Sequence, residues 1–356
     1  MKAFYIGSTS EYTGKSLVCI CLAKMLKEEG KKVGYFKPFG TLPVMSGSVV
    51  TDEDALFMRE YLEMEESPED ICPIVLTHDL KIQAYRGKAG DVKKKIQEAY
   101  KRVSKGRDVI LIGGGHTIDE GRTLGVPVSE IIMETKSKVI LVERYDEYHG
   151  FDTLLAAGDR FKGNFGGVIL NKVEPENIDF FRNMIVPFLE REGVKVLGIM
   201  PRDPLLLSVS VRDLAQHLGG DIITASEHQG DLIQNFVVGA MAIDAAMSRF
   251  RRVQNKAVIT GGDRSDLQLA ALETSTRCLI LTGSMYPPLI IQAKADEMGI
   301  PIIVVKDDTL SVVEKIDSLL GRPHIKEAEK IKRGHEIFYE GVDIEKIKQF
   351  LTGNQR

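Results

Sequence analysis

Residues 3–16 read AFYIGSTSEYTGKS: a short apolar strand, Ala3 to Ile6, runs into a loop of small and polar residues and then into a helix-like stretch that begins near Ser16. This is the setting of a phosphate-binding loop. Successive backbone N–H groups in such a loop converge on an anion, the following helix adds the positive end of its dipole, and a lysine here reaches the terminal phosphates. Lys15 is the candidate lysine, and the Ser16 hydroxyl is the candidate Mg²⁺ ligand. The loop residues Thr9, Ser10, Glu11, Tyr12, Thr13 and Gly14 supply the amides. The usual G-x-x-x-x-G-K-[ST] spacing is broken at one place, because Thr9 stands five before Gly14 and the nearest upstream glycine is Gly7. A chance Gly-Lys-Ser at a helix start is the competing explanation. The amphipathic stretch expected from Leu17 to Leu26 favours the motif.

A chain of 356 residues with 43% hydrophobic content and no long polar tract has room for two folded domains. Its net charge of −4, absence of tryptophan and few aromatics give no electrostatic or stacking case for nucleic acid. Cys19, Cys21, Cys72 and Cys278 lack metal-ligand spacing and read as reduced core residues of a cytoplasmic protein. Met1-Lys2 leads straight into the strand that the loop needs, so no signal peptide is expected to be removed. No apolar run approaches the ~20 residues of a membrane span, so no membrane partner is expected.

From residue 1 to about 215, β-type runs alternate with helical patterns: Lys32 to Phe36, Asp108 to Ile112, Lys138 to Val142, Gly167 to Leu170 and Val194 to Ile199. Such alternation predicts an α/β fold, with a mostly parallel sheet covered on both faces and ligands at the carboxyl edge of the strands. Lys37-Pro38-Phe39-Gly40, Gly113-Gly114-Gly115-His116, the stretch Glu143 to Gly150, Asn171-Lys172 and the Met200 to Pro204 loop then share that edge with the phosphate loop. His116 and His149 are candidate general bases there, or simply polar loop residues. The seven histidines show no metal-binding spacing, and no G-x-S-x-G element is present.

After Leu218-Gly219-Gly220 the pattern restarts. An apolar, helix-like segment from Leu232 to Met247 precedes strand–loop–helix units at Ala257 to Thr260, Cys278 to Leu281 and Ile302 to Val305, which predict a smaller α/β domain over 220–325. Residues 326–356 read as a helical tail with a frayed end. The loop Gly261-Gly262-Asp263-Arg264 could hold an anion at a helix N-terminus, with Arg264 clasping a phosphate or carboxylate. Equally, it could be a tight turn in which Asp263 caps the helix and Arg264 pairs with a neighbouring acid.

The succession GSTSEYTGKS, KPFG and then Asp52-Glu53-Asp54-Ala55-Leu56 opening a helix resembles dethiobiotin synthetase and its relatives. Those relatives include cobyrinate amidotransferases and the amino-terminal domain of some phosphotransacetylases. ITGGDRSDLQLAALE, residues 259–273, resembles a DRTGG domain. Together the likeness covers roughly residues 1 to 325, in the order of the phosphotransacetylase-like proteins of unassigned activity. It implies a P-loop NTPase-like domain over 1–215 followed by a three-layer DRTGG domain. It also implies ATP and Mg²⁺ as cofactors and pairing into a homodimer, with a sensing or regulatory role or, alternatively, an ATP-dependent ligase reaction on a carboxylate or carbamate.

Carried over by residue, the resemblance puts Lys15 and Ser16 on phosphate and Mg²⁺, Lys37 near the transferred phosphoryl or its acceptor, Asp54 on Mg²⁺ and Asn171 on the nucleotide base. Each has a plainer explanation: a solvated strand end for Lys37, a helix-start carboxylate for Asp54, a turn residue for Asn171. One departure stands out. The synthetases carry a metal-holding glutamate after the strand that here spans Asp108 to Ile112, and its place is taken by Gly113. Asp119 or Glu120 could substitute.

Overall fold

The computed structural model describes residues 1–145, 150–320 and 327–352. His149 lies outside them. The chain divides into one compact unit of Met1–Arg202 with Ile325–Arg356, and a second of Asp203–His324. This division falls earlier than the expected 215/220 boundary, and the C-terminal segment clusters with the first unit instead of standing as a tail.

The first unit is built on six strands: β1 (Lys2–Gly7), β2 (Val33–Phe36), β3 (Val109–Gly113), β4 (Lys138–Glu143), β5 (Phe165–Val173) and β6 (Val196–Pro201). Their order is β6-β5-β4-β1-β3-β2, and every pairing is parallel. All six carboxyl ends therefore open on one edge, with β1 between β3 and β4. Ile6 pairs with both Gly113 and Ile140, so the loops after these three strands start side by side. The helices α1 (Lys15–Glu28), α2 (Glu53–Tyr61), α3 (Val92–Ser104), α4 (Val128–Thr135) and α5 (Asp152–Arg160) fall between the strands. The stretch expected to be amphipathic is in fact buried nearly all round in α1, from Leu17 through Ala23 and at Met25 and Leu26. Sheet strands and a C-terminal helix, α11 below, both pack against it, which explains why it carries no polar face.

In the second unit α6 (Val211–Leu218) leads to β7 (Asp221–Ile222), β8 (Asn235–Val238), α7 (Ile243–Arg252), β9 (Lys256–Gly261), α8 (Ser265–Leu272), β10 (Thr276–Thr282), α9 (Leu289–Glu297), β11 (Ile302–Val304) and α10 (Thr309–Leu320). The sheet order is β7-β11-β10-β9-β8, parallel except for β7. Alternate strand residues face opposite cores. Ala257, Ile259, Cys278, Ile280 and Ile303 pack with α6 and α10. Val258, Leu279, Leu281, Ile302 and Val304 pack with α7, α8 and α9. Three layers result.

The helix expected from Leu232 to Met247 is two short strands, Leu232–Ile233 and Asn235–Val238, followed by a helix. Phe236, Val237 and Val238 pair with Ala257, Val258 and Ile259, and the Gly239 amide donates to the Ile259 carbonyl before α7 begins at Ile243. An apolar run of this length is ambiguous until a neighbouring strand offers its hydrogen bonds. The chain closes with α11 (Ala328–Gly341) and α12 (Ile344–Thr352). All four cysteines are buried and free, and burial pushes the Cys19 thiol up to about 12. No helix among the described residues is long and apolar enough to cross a membrane.

Candidate functional site

Between Gly7 and Lys15 the chain makes a compact loop whose conformation depends on positive φ at Tyr12 (56°) and Gly14 (100°). Among the described residues no side chain caps the start of α1, which leaves the amides there for an anion. A Cβ at Gly14 would overlap the Asn171 amide as well as strain the backbone, so this glycine is required twice over. The Lys15 ammonium lies across the loop, donating to Ser8 Oγ at 2.7 Å and to the His116 carbonyl at 3.0 Å. Burial holds it below the usual lysine range, with Glu120, Glu143 and Asp54 acting in the opposite sense.

The break in the loop motif has a physical reason. Thr9 donates its amide to Glu143 Oε1 at 2.5 Å and its hydroxyl to Oε2 at 2.8 Å. A glycine here would leave one oxygen of a carboxylate that is only 3% exposed without this donor. Glu143 ends β4, two residues past the partner of Gly7, and sequence reasoning placed it on the ligand edge without assigning it a role. An acid closing the apolar run Val139 to Val142 was the available signal.

A second chain of polar groups starts at α1. Ser16 Oγ donates to Asp54 Oδ2 at 2.8 Å, and Lys37 Nζ donates to the same oxygen at 3.0 Å and to Asp52 Oδ1 at 2.7 Å. Asp52 also accepts the amides of Thr41, Leu42 and Ala55, the last as the N-cap of α2. Lys37 is 2% exposed and Asp52 fully buried, so the solvated strand end considered for Lys37 is ruled out. Burial opposes the charge on Lys37, but Asp54 and Asp52 outweigh it and hold the ammonium above the lysine range. Burial likewise opposes the Asp54 charge, and Lys37 with Ser16 wins, leaving that carboxyl below its ordinary value. Ser16 and Asp54 thus present two hard oxygens together, a donor pair suited to Mg²⁺.

Glu120 and Asp119 part company. Asp119 faces Arg160 at 2.7 Å on the surface. Glu120 is 9% exposed and folds back to accept the amides of Gly115 at 2.8 Å and His116 at 3.0 Å. Burial pushes its carboxyl up to about 7 against those two bonds and against Lys37 and Lys15. At Gly113 itself a Cβ would overlap the Tyr35 hydroxyl. Tyr35 pairs with Leu111, which lies on the same face of β3 as Gly113, so its phenol reaches along the strand into the space a longer residue would need. Glycine at 113 and tyrosine at 35 therefore go together, a coupling invisible in linear sequence.

Burial also pushes Glu143 up to about 7 from 4.5, against Thr9 and Lys15. Native Glu143 and Glu120 hold protons between about 4.5 and 7 that the unfolded chain has released, so stability falls as pH rises through this window. Each shift corresponds to about 3 kcal/mol. Glu143→Gln keeps the bond from the Thr9 amide, lets the Thr9 hydroxyl accept from the new NH2 group and removes one titration, so the loss of stability between pH 5 and pH 8 should shrink by about 2–3 kcal/mol. Urea unfolding at the two pH values measures this; an unchanged difference would mean that Glu143 is not the titrating group.

Asn171 and Lys172 meet the loop from β5. Asn171 Nδ2 donates to the Thr13 carbonyl at 2.7 Å while its Oδ1 accepts the Lys172 amide at 2.8 Å, so both ends of the amide are engaged within the chain. Lys172 Nζ donates to the Tyr12 carbonyl at 2.7 Å. Burial, then Arg144, Arg202 and Lys15, lowers the Lys172 ammonium to about 8. His116 pairs with Glu11 at 3.2 Å, and Ser8 Oγ donates to the Ser10 carbonyl at 2.5 Å.

In the second unit the Gly262 amide donates to the Thr282 carbonyl, and Gln268 Nε2 donates to the carbonyls of Gly261 and Gly262. Arg264 pairs with Asp266 at 2.8 and 2.9 Å. Asp263 does not cap α8, whose start carries no side-chain cap.

A family model described as an AAA domain matches residues 2–210, more than half of the chain. The chain belongs to this AAA domain family. A DRTGG domain model matches residues 213–319, so a DRTGG domain follows the AAA domain, as the motifs implied. The chain is 22% identical over 369 residues to phosphate acetyltransferase of Synechocystis, covering 98% of this chain and 52% of that protein. It therefore spans about half the length of the phosphate acetyltransferases it matches end to end. The AAA domain is also similar to the ATP-dependent dethiobiotin synthetase of Brachyspira hyodysenteriae, at 26% identity over 56% of this chain and 91% of that one. Among solved structures, the septum site-determining protein of Pyrococcus horikoshii complexed with Mg-ADP is 20% identical, covers 58% of this chain and 83% of that one, and has a TM-score of 0.36.

Proposed function

We propose that the AAA domain binds ATP with Mg²⁺ on the loop Thr9 to Ser16 and that the protein acts as a nucleotide sensor or regulator with slow hydrolysis at most, the DRTGG domain being its regulatory module. The cytoplasmic setting read from the reduced cysteines and the homodimer implied by the resemblance are part of this proposal. One observation carries it: the uncapped start of α1 stands beside Lys15 and the linked Ser16, Asp54 and Lys37. Two further features fit a polyphosphate. Among the described residues the Thr13 hydroxyl is buried without a partner, and Lys15 is met by a hydroxyl and a carbonyl, neutral groups that a phosphate oxygen replaces favourably.

In this reading Lys15 and the loop amides hold the phosphates and Ser16 and Asp54 hold the metal. When bound, Mg²⁺ would neutralise phosphate charge. Lys37 is kept charged and in place by Asp52. Calorimetric titration of wild type and Lys15→Ala with ATP, with and without Mg²⁺, tests the proposal; no heat from wild type would end it.

The second reading, an ATP-dependent ligase acting on a carboxylate or carbamate, is favoured by Glu120, a buried carboxyl whose charge acts on both Lys15 and Lys37. If it is right, Glu120→Gln lowers ATP turnover at least about a hundredfold, the lower end for a positioned acid–base group, while ATP affinity stays within about twofold. Equal turnover in variant and wild type would remove this reading.

A further inference from the structure

We propose that Asn171 and Lys172 are the positioning residues of the phosphate loop, a two-pronged clamp that sets the direction of its amides. The inference rests on the nucleotide-binding reading above. In a planar trans peptide the C=O and the following N–H point in opposite directions. Lys172 holds the Tyr12 carbonyl toward β5, so the Thr13 N–H is turned away from β5. Asn171 holds the Thr13 carbonyl toward β5, so the Gly14 N–H is turned the same way. Two successive amides are thereby aligned before any ligand arrives, the arrangement that makes a backbone anion nest.

The surrounding geometry is committed to this purpose. Tyr12, Gly14 and Lys172 all take positive φ, at 56°, 100° and 57°, and for Tyr12 and Lys172 that conformation is disfavoured. Asn171 Oδ1 accepts the Lys172 amide at 2.8 Å, which fixes the amide plane and steadies the left-handed turn at Lys172. Gly14 is bare where a Cβ would displace the Asn171 amide. With one bond at each end of its amide, Asn171 is held in a single orientation against the loop. A loop already holding its amides in the bound direction loses less freedom on binding, which raises affinity for any ligand that bears the phosphates.

The test uses the full chain with three ligands: ATP, GTP and inorganic tripolyphosphate, which has no base. Asn171→Ala and Lys172→Met are each expected to weaken tripolyphosphate and ATP alike, by roughly ten- to a hundredfold, as expected for one lost charge-assisted or buried bond. For Lys172→Met the ratio of ATP to GTP affinity should stay that of the wild type. Lys172→Arg, which can still donate to the Tyr12 carbonyl, should recover most of the loss, which a general destabilisation would not allow. Circular dichroism identifies variants that do not fold; should Asn171→Ala be one, Lys172→Met against Lys172→Arg decides alone.

Tripolyphosphate affinity unchanged in the folded variants overturns the clamp, as does a loss confined to nucleotides or a wild type that binds ATP but not tripolyphosphate. A wild type that binds none of the three ligands overturns the nucleotide reading itself, and the clamp with it.

Discussion

Lys37→Met should destabilise the first unit by roughly 3–5 kcal/mol, the usual result of removing one partner from a buried ion pair. The reason is Asp52. It is fully buried, Lys37 is its only cationic partner among the described residues, and the methionine leaves its charge compensated by three backbone amides alone. Those amides put the effect toward the lower end. Asp54, which is 28% exposed, can turn to water and adds little.

The denaturant midpoint should fall without a change in slope, because the native fold buries the same surface. Lys37→Met combined with Asp52→Asn should recover a substantial part of the loss, since both charges are then gone. Such non-additivity is the signature of direct coupling. Strict additivity of the two substitutions would show that the pair does not act as one. At the acid end the sign is plain: the Asp54 carboxyl lies below its ordinary value, so its contribution is present at neutral pH and is lost as pH falls through the lowered pKa. That is the opposite of Glu120 and Glu143, whose contribution weakens as pH rises toward about 7.

Lys15→Ala should weaken ATP binding by roughly 1.5–3 kcal/mol, about ten- to 150-fold, which is the range for one charge-assisted contact to phosphate. Folding stability should change far less. The ammonium is held in this structure by a serine hydroxyl and a carbonyl, neutral groups that do not leave a buried charge behind when it is removed. The two substitutions thus separate two lysines that linear sequence presents alike. Lys37 is expected to act mainly on stability and Lys15 mainly on affinity. Isothermal calorimetry for one and urea unfolding for the other measure the contrast; an ATP affinity that survives Lys15→Ala would remove the phosphate-loop assignment.

Much of this was legible in the sequence. All six strands of the first sheet were marked by apolar runs, because strands buried on both faces have no polar period to obscure them. The loop was marked because a phosphate site needs Gly14, Lys15 and Ser16 in succession, and local geometry alone imposes that order. Even the grouping of loops followed, since parallel strands must open their carboxyl ends on one edge. The one segment misassigned, Leu232 to Met247, failed where local propensity is least informative: its strand exists because β9 offers it hydrogen bonds.

The sequence by itself determined the class of fold, the order of the two domains and the candidate phosphate loop, since each depends on the periodicity and identity of neighbouring residues. Only the tertiary structure decided what the side chains do. Thr9 departs from the loop pattern because Glu143, distant in sequence, bonds its amide and hydroxyl. Gly113 replaces an acid because the Tyr35 phenol fills its space, Glu120 and not Asp119 turns inward, and the Asn171 amide grips a carbonyl of the loop. Each outcome is a choice among partners made by close packing and by the cost of leaving a buried polar group unpaired. Both act between residues that only the folded sheet brings together.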